Sequence, residues 1–181
     1  MHVQEMRWLI GVAFMALFVT GQSLAQETGA LTVQVGATSS LVPKGDGLRP
    51  NLNADLSFVV GPFSLGPELG VYFTGADSLS PNSRPESVFT LGGVTRYRFG
   101  AGTWSTHAVL GLGVYWWDSN HPLAPTGTYV SGSLGTGVSR GVGRRGSRVQ
   151  AEVRLHQVLA RTGGPGTRRF LSIGAGFSLG W

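Results

Sequence analysis

The stretch Phe170-Leu-Ser-Ile-Gly-Ala-Gly-Phe-Ser-Leu-Gly-Trp181 carries the pattern that decides the fold. Every second residue is apolar, and the residues between are only Ser or Gly. The apolar face consists of Leu171, Ile173, Ala175, Phe177, Leu179 and Trp181. A period of two is that of a β-strand. Such a strand needs a second apolar layer, as in a soluble sandwich, or lipid, as in a membrane barrel.

The same alternation recurs along the chain in eight runs of residues. A strand that crosses a bilayer at a tilt takes about ten residues, which matches the length of these runs. The runs cover residues 30–41, 51–60, 64–74, 87–99, 103–117, 128–140, 148–160 and 170–181. The repetition favours the membrane barrel over the sandwich.

The connections between the runs alternate in kind. Three are short or Gly-rich, namely residues 61–63, 100–102 and 141–146. The other four are longer, polar and contain Pro, namely residues 42–50, 75–86, 118–127 and 161–167. A barrel with both termini in the periplasm produces this alternation, with short turns inside the envelope and longer loops outside. The sequence therefore predicts an all-β fold, an eight-stranded antiparallel up-and-down transmembrane β-barrel.

Residues 1–25 have the features of a secretory signal peptide. Arg7 ends a short first segment, residues 8–19 are apolar throughout, and Ser23-Leu24-Ala25 places small residues before a cleavage point. A helix over that apolar run spans only about 18 Å, against about 30 Å for the hydrocarbon core of a bilayer, which argues against a membrane anchor. We expect cleavage after Ala25 and one barrel domain over residues 26–181.

The composition excludes several function classes. The chain has no Cys, so disulfides are absent, and only 13% of its residues are charged. The net charge of +5 could suggest nucleic acid, but Lys44 is the only Lys among 14 basic residues, and the Arg residues are scattered through strands and loops. We therefore expect no nucleic-acid partner. The four His residues show no metal-ligand spacing, and we expect neither a metal nor a cofactor.

From Glu27 to Trp181 the chain resembles the small outer-membrane β-barrel proteins of Gram-negative bacteria, the eight-stranded group related to the OmpA transmembrane domain and OmpX. In that family the last strand is the signal read by the barrel-assembly machinery, and Phe177, Leu179 and Trp181 match its positions. The family more often ends on Phe. The resemblance implies an outer-membrane location, contact with outer-membrane lipid and lipopolysaccharide, and the assembly machinery as a partner. We expect a monomer.

Outward-facing aromatic side chains sort by strand end, which predicts the double aromatic girdle of a transmembrane barrel. Aromatics of a soluble core would not sort in this way. The predicted girdle comprises Phe58, Tyr97, Phe99, Trp104, Phe177 and Trp181 near the periplasmic ends, and Phe73, Phe89 and Trp116 near the external ends.

Alternation also predicts a charged lumen. Its predicted charge network consists of Asp55, Glu68, Arg96, Arg98, His107, Glu152, Arg154 and His156. Unpaired charges there would be costly, so we expect ion pairs that plug an interior just wide enough for side chains. We expect Arg96 and Arg98 to pair with Glu68 and His107 at one level, and the other acids with Arg154 at a second. A catalytic role would require Glu152 to orient His156 as a base. The two residues are four positions apart on one strand, about 13 Å along it, so we do not expect such a role.

The leading functional hypothesis is a non-enzymatic envelope protein whose outer loops contact lipid or external partners. The alternative is a lipid A-modifying enzyme. Small-barrel deacylases use a His-x-Ser arrangement, which His156-Gln157-Val158 lacks. Palmitoyltransferases hold an acyl chain in an apolar barrel, whereas the lumen of this chain is predicted to be charged. Near the last outer loop, Arg161, Arg168 and Arg169 could pair with lipopolysaccharide phosphates, for which Arg is well suited, or form a solvated patch.

Overall fold

A computed structural model gives eight β-strands and places them close to the predicted runs. It describes residues 28–42, 47–74, 86–100, 102–118, 126–142, 146–161 and 168–180. The predicted signal peptide and Trp181 lie outside these ranges. The strands are β1 (Thr28–Val42), β2 (Arg49–Val60), β3 (Phe63–Thr74), β4 (Glu86–Phe99), β5 (Trp104–Asp118), β6 (Gly127–Gly141), β7 (Arg148–Arg161) and β8 (Arg169–Gly180).

Each strand pairs antiparallel with the next along the chain, and β8 pairs back onto β1 to close a barrel. The closing pair runs from Ala30 opposite Gly180 to Val42 opposite Arg169, with one irregularity between Ser40 and Val42. The predicted eight-stranded antiparallel up-and-down barrel is confirmed. Within the described ranges, no helix is long and apolar enough to cross a membrane.

The apolar faces of the strands point outward and the polar faces inward. In β7, Val153 and Leu155 are exposed while Glu152 and Arg154 are buried. In β6, Leu134 is 64% exposed. Soluble monomers rarely expose continuous apolar patches beyond a few hundred Å². No second apolar layer covers this wall among the described residues, so the sandwich alternative does not apply to them.

Two ends of the barrel can be told apart by their connections. The turn end is where β1, β3, β5 and β7 begin; the opposite end, where these strands end, is called the loop end. Gly61 has a φ of 60°, a left-handed conformation that tight hairpins need at their first turn position. Pro62 then supplies the fixed negative φ of the second position.

Candidate functional site in the barrel lumen

The middle of the lumen holds six charged or titratable side chains, here called the ion network. They come from β2, β3, β4, β5 and β7, and the alternation of each strand directs them inward. None is more than 9% exposed. The ion network consists of Asp55, Glu68, Arg96, His107, Glu152 and Arg154.

Arg96 joins two carboxylates across the lumen. Its Nη1 and Nη2 donate to Oδ1 and Oδ2 of Asp55 at 3.0 and 2.9 Å, and its Nε donates to Oε1 of Glu152 at 2.6 Å. The first pair is bidentate, the strongest geometry open to an arginine and a carboxylate. Because β4 is next to neither β2 nor β7, these bonds span the interior instead of following the wall.

Glu152 is the hub of the ion network. Its Oε2 accepts from Nε and Nη2 of Arg154 at 2.9 and 2.5 Å, and Nε2 of His107 lies 2.9 Å from its Oε1. Arg154 Nη1 donates to Oε2 of Glu68 at 2.5 Å. Three carboxylates therefore face two guanidiniums and the imidazole of His107. A buried group of this kind holds together only because each charge has a partner.

Small residues on β6 make room for the ion network. A Cβ added at Gly137 would lie 2.5 Å from Nε2 of His107 and 2.8 Å from Cγ of Glu152. One added at Gly135 would lie 2.8 Å from Cγ of Arg154. The inward glycines of β6 thus fill no space themselves and allow the long side chains of β7 to lie across the lumen.

The structure corrects the predicted pairing. Arg98 makes no ion pair with the ion network, and Glu68 pairs with Arg154 instead of with Arg96 or Arg98. The expectation assumed pairs between neighbouring strands at matched height. The interior of an eight-stranded barrel is narrow enough for long side chains to meet across it, so the partners lie on opposite walls.

Toward the loop end the lumen is filled by rings, which the sequence analysis missed. This aromatic cluster consists of Tyr72, Tyr115, Trp117, Tyr129 and Phe170 with Val88 and Val158, all buried. Phe170 lies 5.4 Å from Tyr72 and 5.9 Å from Trp117, measured between ring centroids. The signal was present in the alternation, since each of these residues falls on an inward position of its strand. The predicted charged lumen therefore does not extend to this half of the interior.

His156 lies in the aromatic cluster and not in the ion network, which corrects its predicted place. Its ring stacks on Phe170 with 4.3 Å between centroids, while Nδ1 lies 2.8 Å from the Tyr115 hydroxyl and Nε2 lies 2.8 Å from Oγ of Ser172. Among the described residues no carboxylate hydrogen-bonds to this imidazole. Nor do those residues contain a group of three or more His, Asp or Glu side chains placed to hold a metal ion.

An ion pair covers the aromatic cluster at the loop end. Oε2 of Glu86 accepts from Nη1 of Arg168 at 3.3 Å and from Nε1 of Trp117 at 2.8 Å. The guanidinium of Arg168 lies 4.2 Å from the centroid of a Trp117 ring, within cation–π range. Arg168 was expected at the surface near the last loop, and its burial overturns that expectation. Arg169 is exposed, and the side chain of Arg161 lies outside the described residues.

The outward aromatic residues lie toward the strand ends. At the loop end the rings of Phe89 and Trp116 are 6.5 Å apart, with Phe73 exposed on the neighbouring strand. At the turn end Tyr97 lies 4.9 Å from both Phe63 and Phe99. Trp104 and Phe177 are also exposed at that end, and Phe58 is half-buried. Phe63 was missed because the sequence analysis assigned it to a turn. The role of these rings at membrane interfaces stays a prediction.

A groove opens on the outer wall at the loop end. Its volume is about 450 Å³, and its lining includes Phe73, Phe89 and Trp116. Asp118 and Thr126 form its polar edge, where the Thr126 hydroxyl donates to Asp118 Oδ1 at 3.2 Å. Among the described residues that line the groove there is no His.

No protein-family model matches the sequence, and no curated protein matches it either. Among solved structures, Neisserial surface protein A superposes with a TM-score of 0.63 at 13% identity, covering 84% of this chain and 96% of that protein. The fold is that of the small outer-membrane barrels.

Two other structures share this small outer-membrane barrel fold. The N-terminal β-barrel domain of Pseudomonas aeruginosa OprF gives a TM-score of 0.50 at 13% identity, covering 85% of this chain and 100% of that domain. The outer membrane enzyme PagL gives 0.51 at 13% identity, covering 83% of this chain and 98% of its own. Since one of these proteins is an enzyme, the fold by itself does not decide between a catalytic and a non-catalytic role.

Proposed function

We propose that this chain is a non-enzymatic protein of the bacterial outer membrane, with a plugged lumen and with outer loops that contact lipid or external partners. The apolar outer wall and the neighbours among outer-membrane proteins support the location. Strands of 12 to 15 residues exceed the length needed to cross a bilayer, which agrees with it.

The observation that carries the proposal is the ion network. It links β4 to β2 and β7, and β7 to β3, through buried guanidiniums and carboxylates. Opening a water path would separate these charges or hydrate them one by one. Breaking a buried pair by removing one partner costs about 3–5 kcal/mol, so the closed arrangement is strongly preferred. A lumen filled in this way serves stability and not transport.

A lipid A-modifying enzyme is the second candidate, because Ser172 and His156 lie within hydrogen-bond distance and PagL shares the fold. A His beside a Ser is the first requirement of a nucleophilic pair. Three facts weigh against it. The imidazole faces the lumen and stacks on Phe170, Ser172 is buried, and neither of them lines the groove on the outer wall. An acyl chain in the membrane would not reach them.

Two measurements test the proposed function. Cell fractionation with heat-modifiable gel mobility should place the folded protein in the outer membrane; a soluble periplasmic protein without a mobility shift would refute the location. Mass spectrometry of lipid A from cells with and without the protein should give identical acylation. A gained or lost acyl chain would favour the enzyme, and Ser172→Ala would then show whether this serine is responsible.

A further inference from the structure

A polar cavity lies at the turn end of the lumen, next to the ion network. It has about 60 Å³ of space for the centres of water molecules, where one water needs about 10–15 Å³. All eight strands contribute to its lining, so it occupies a full section of the barrel interior. The part of the lining that the structure describes contains Arg96, Arg98, Arg148 and His107 and no Asp or Glu.

The three arginines of this turn-end cavity differ in the partners that their guanidinium groups contact. Arg96 is held by its two carboxylates in the ion network. Among the described residues Arg148 donates to hydroxyls alone, from Nε to Oγ of Ser139 at 3.1 Å and from Nη2 to Oγ of Ser105 at 2.7 Å. The Arg98 guanidinium makes no ion pair or hydrogen bond among the described residues. Two guanidiniums without a carboxylate therefore face one cavity.

We infer that the turn-end cavity binds a small tetrahedral oxyanion of the phosphate type. Arginine offers a planar fork of N–H donors that fits such an anion, and bonds between ionised partners are about twice as strong as neutral ones. Hydroxyl groups around the cavity add neutral donors, and the absence of carboxylates leaves nothing in the lining to repel an anion. The hydroxyl residues of the lining are Thr32, Ser57, Ser64, Ser139 and Ser178.

The chemistry of a phosphate group could come from a free ion or from a phospholipid headgroup. The turn-end cavity lies inside the ring of strands, whereas the acyl chains of a bilayer lipid stay outside the wall. Its volume suits one tetrahedral ion with a few waters and does not suit a headgroup with its glycerol. We therefore assign the site to a free ion that enters from the turn end.

The test is titration calorimetry of the refolded barrel in a neutral detergent, with inorganic phosphate added at constant ionic strength set by chloride. One saturable site is expected. Arg98→Gln should weaken binding at least about tenfold, because it removes a charged donor that holds no other partner within the described ranges. The matched control is Arg140→Gln, at the same end but on the outer wall, where Arg140 lies 5.4 Å from a Trp104 ring. It should bind phosphate like the unchanged protein.

A second variant and a titration in the presence of lipid complete the experiment. Arg148→Gln should also weaken binding, and the retained heat-modifiable mobility of each variant shows that it folds. Absence of saturable phosphate binding, or equal weakening in Arg140→Gln, would overturn the proposal. Repeating the titration with phosphatidylglycerol in the micelle separates the sources. Binding of that lipid with no binding of inorganic phosphate would overturn the assignment to a free ion.

Discussion

At the residue scale, Arg96 decides whether the charges of the lumen stay paired. It is the only guanidinium that contacts Asp55 among the described residues. Without it, three buried carboxylates would share Arg154, and Asp55 would lose its bidentate partner. The charge balance of the ion network thus depends on Arg96 together with Arg154.

Arg96→Gln should lower the free energy of unfolding by about 3–5 kcal/mol, as expected when one partner of a buried pair is removed. Urea titration of the protein refolded in lipid vesicles measures it. The control is Arg140→Gln on the outer wall, which should cost about 0.5 kcal/mol or less. Equal effects of the two substitutions would show that the ion network is hydrated and contributes little.

Gly137 tests the packing of the same charges without removing any of them. Gly137→Ala places a methyl group 2.5 Å from Nε2 of His107 and 2.5 Å from the backbone oxygen of Ala151, and this crowding of the ion network and of the β7 backbone should cost about 1–3 kcal/mol. Gly93→Ala is the matched control, because a Cβ there meets only the Gly66 carbonyl oxygen at 3.9 Å. The same urea titration compares them. An unaffected Gly137→Ala would mean that the side chains around it have room to move.

At the scale of the strands, the alternation of side chains was enough to predict the fold. In β7 every second residue is apolar, and the structure exposes Val149 and Val153 while it buries Glu152. All eight strands begin and end within two residues of their predicted bounds. A period of two is a local property, and for this reason a single sequence reveals it.

The partners inside the lumen could not be predicted in the same way. Which wall Arg96 reaches depends on strand tilt and stagger, which only the closed barrel determines. Arg98 follows Arg96 by two residues and faces the same interior, yet the two side chains have different surroundings. The aromatic cluster was open to prediction, since Tyr72 and Tyr115 lay on the inward face. It was missed because the polar inward positions were taken to describe the whole lumen.

The packing of the aromatic cluster leads to a testable prediction at the scale of the strands. Phe170→Ala removes a ring that contacts Tyr72, Trp117 and His156, and the cavity left behind should cost about 3–5 kcal/mol. Leu171→Ala, the next residue of β8, faces outward and is the control. Lipid can fill the space that it leaves, so its cost should be clearly smaller. Equal costs would argue against a packed interior at the loop end.

At the scale of the whole molecule, the lumen is divided into three layers from one end of the barrel to the other. The turn-end cavity comes first, then the ion network, then the aromatic cluster beneath the Glu86–Arg168 pair. The residues that close the lumen come from β2 to β8 and from Arg168 just before β8, so only a nearly complete barrel is plugged.

The central claim is that this filled barrel does not conduct, and planar-bilayer recording tests it most directly. The refolded protein, inserted in a bilayer under an applied voltage, should give no stable step in current, because the ion network and the aromatic cluster leave no continuous water path. Heat-modifiable mobility of the same preparation verifies separately that the protein is folded. A large, stable ionic conductance from the unmutated protein would contradict a plugged lumen and would identify the barrel as a pore.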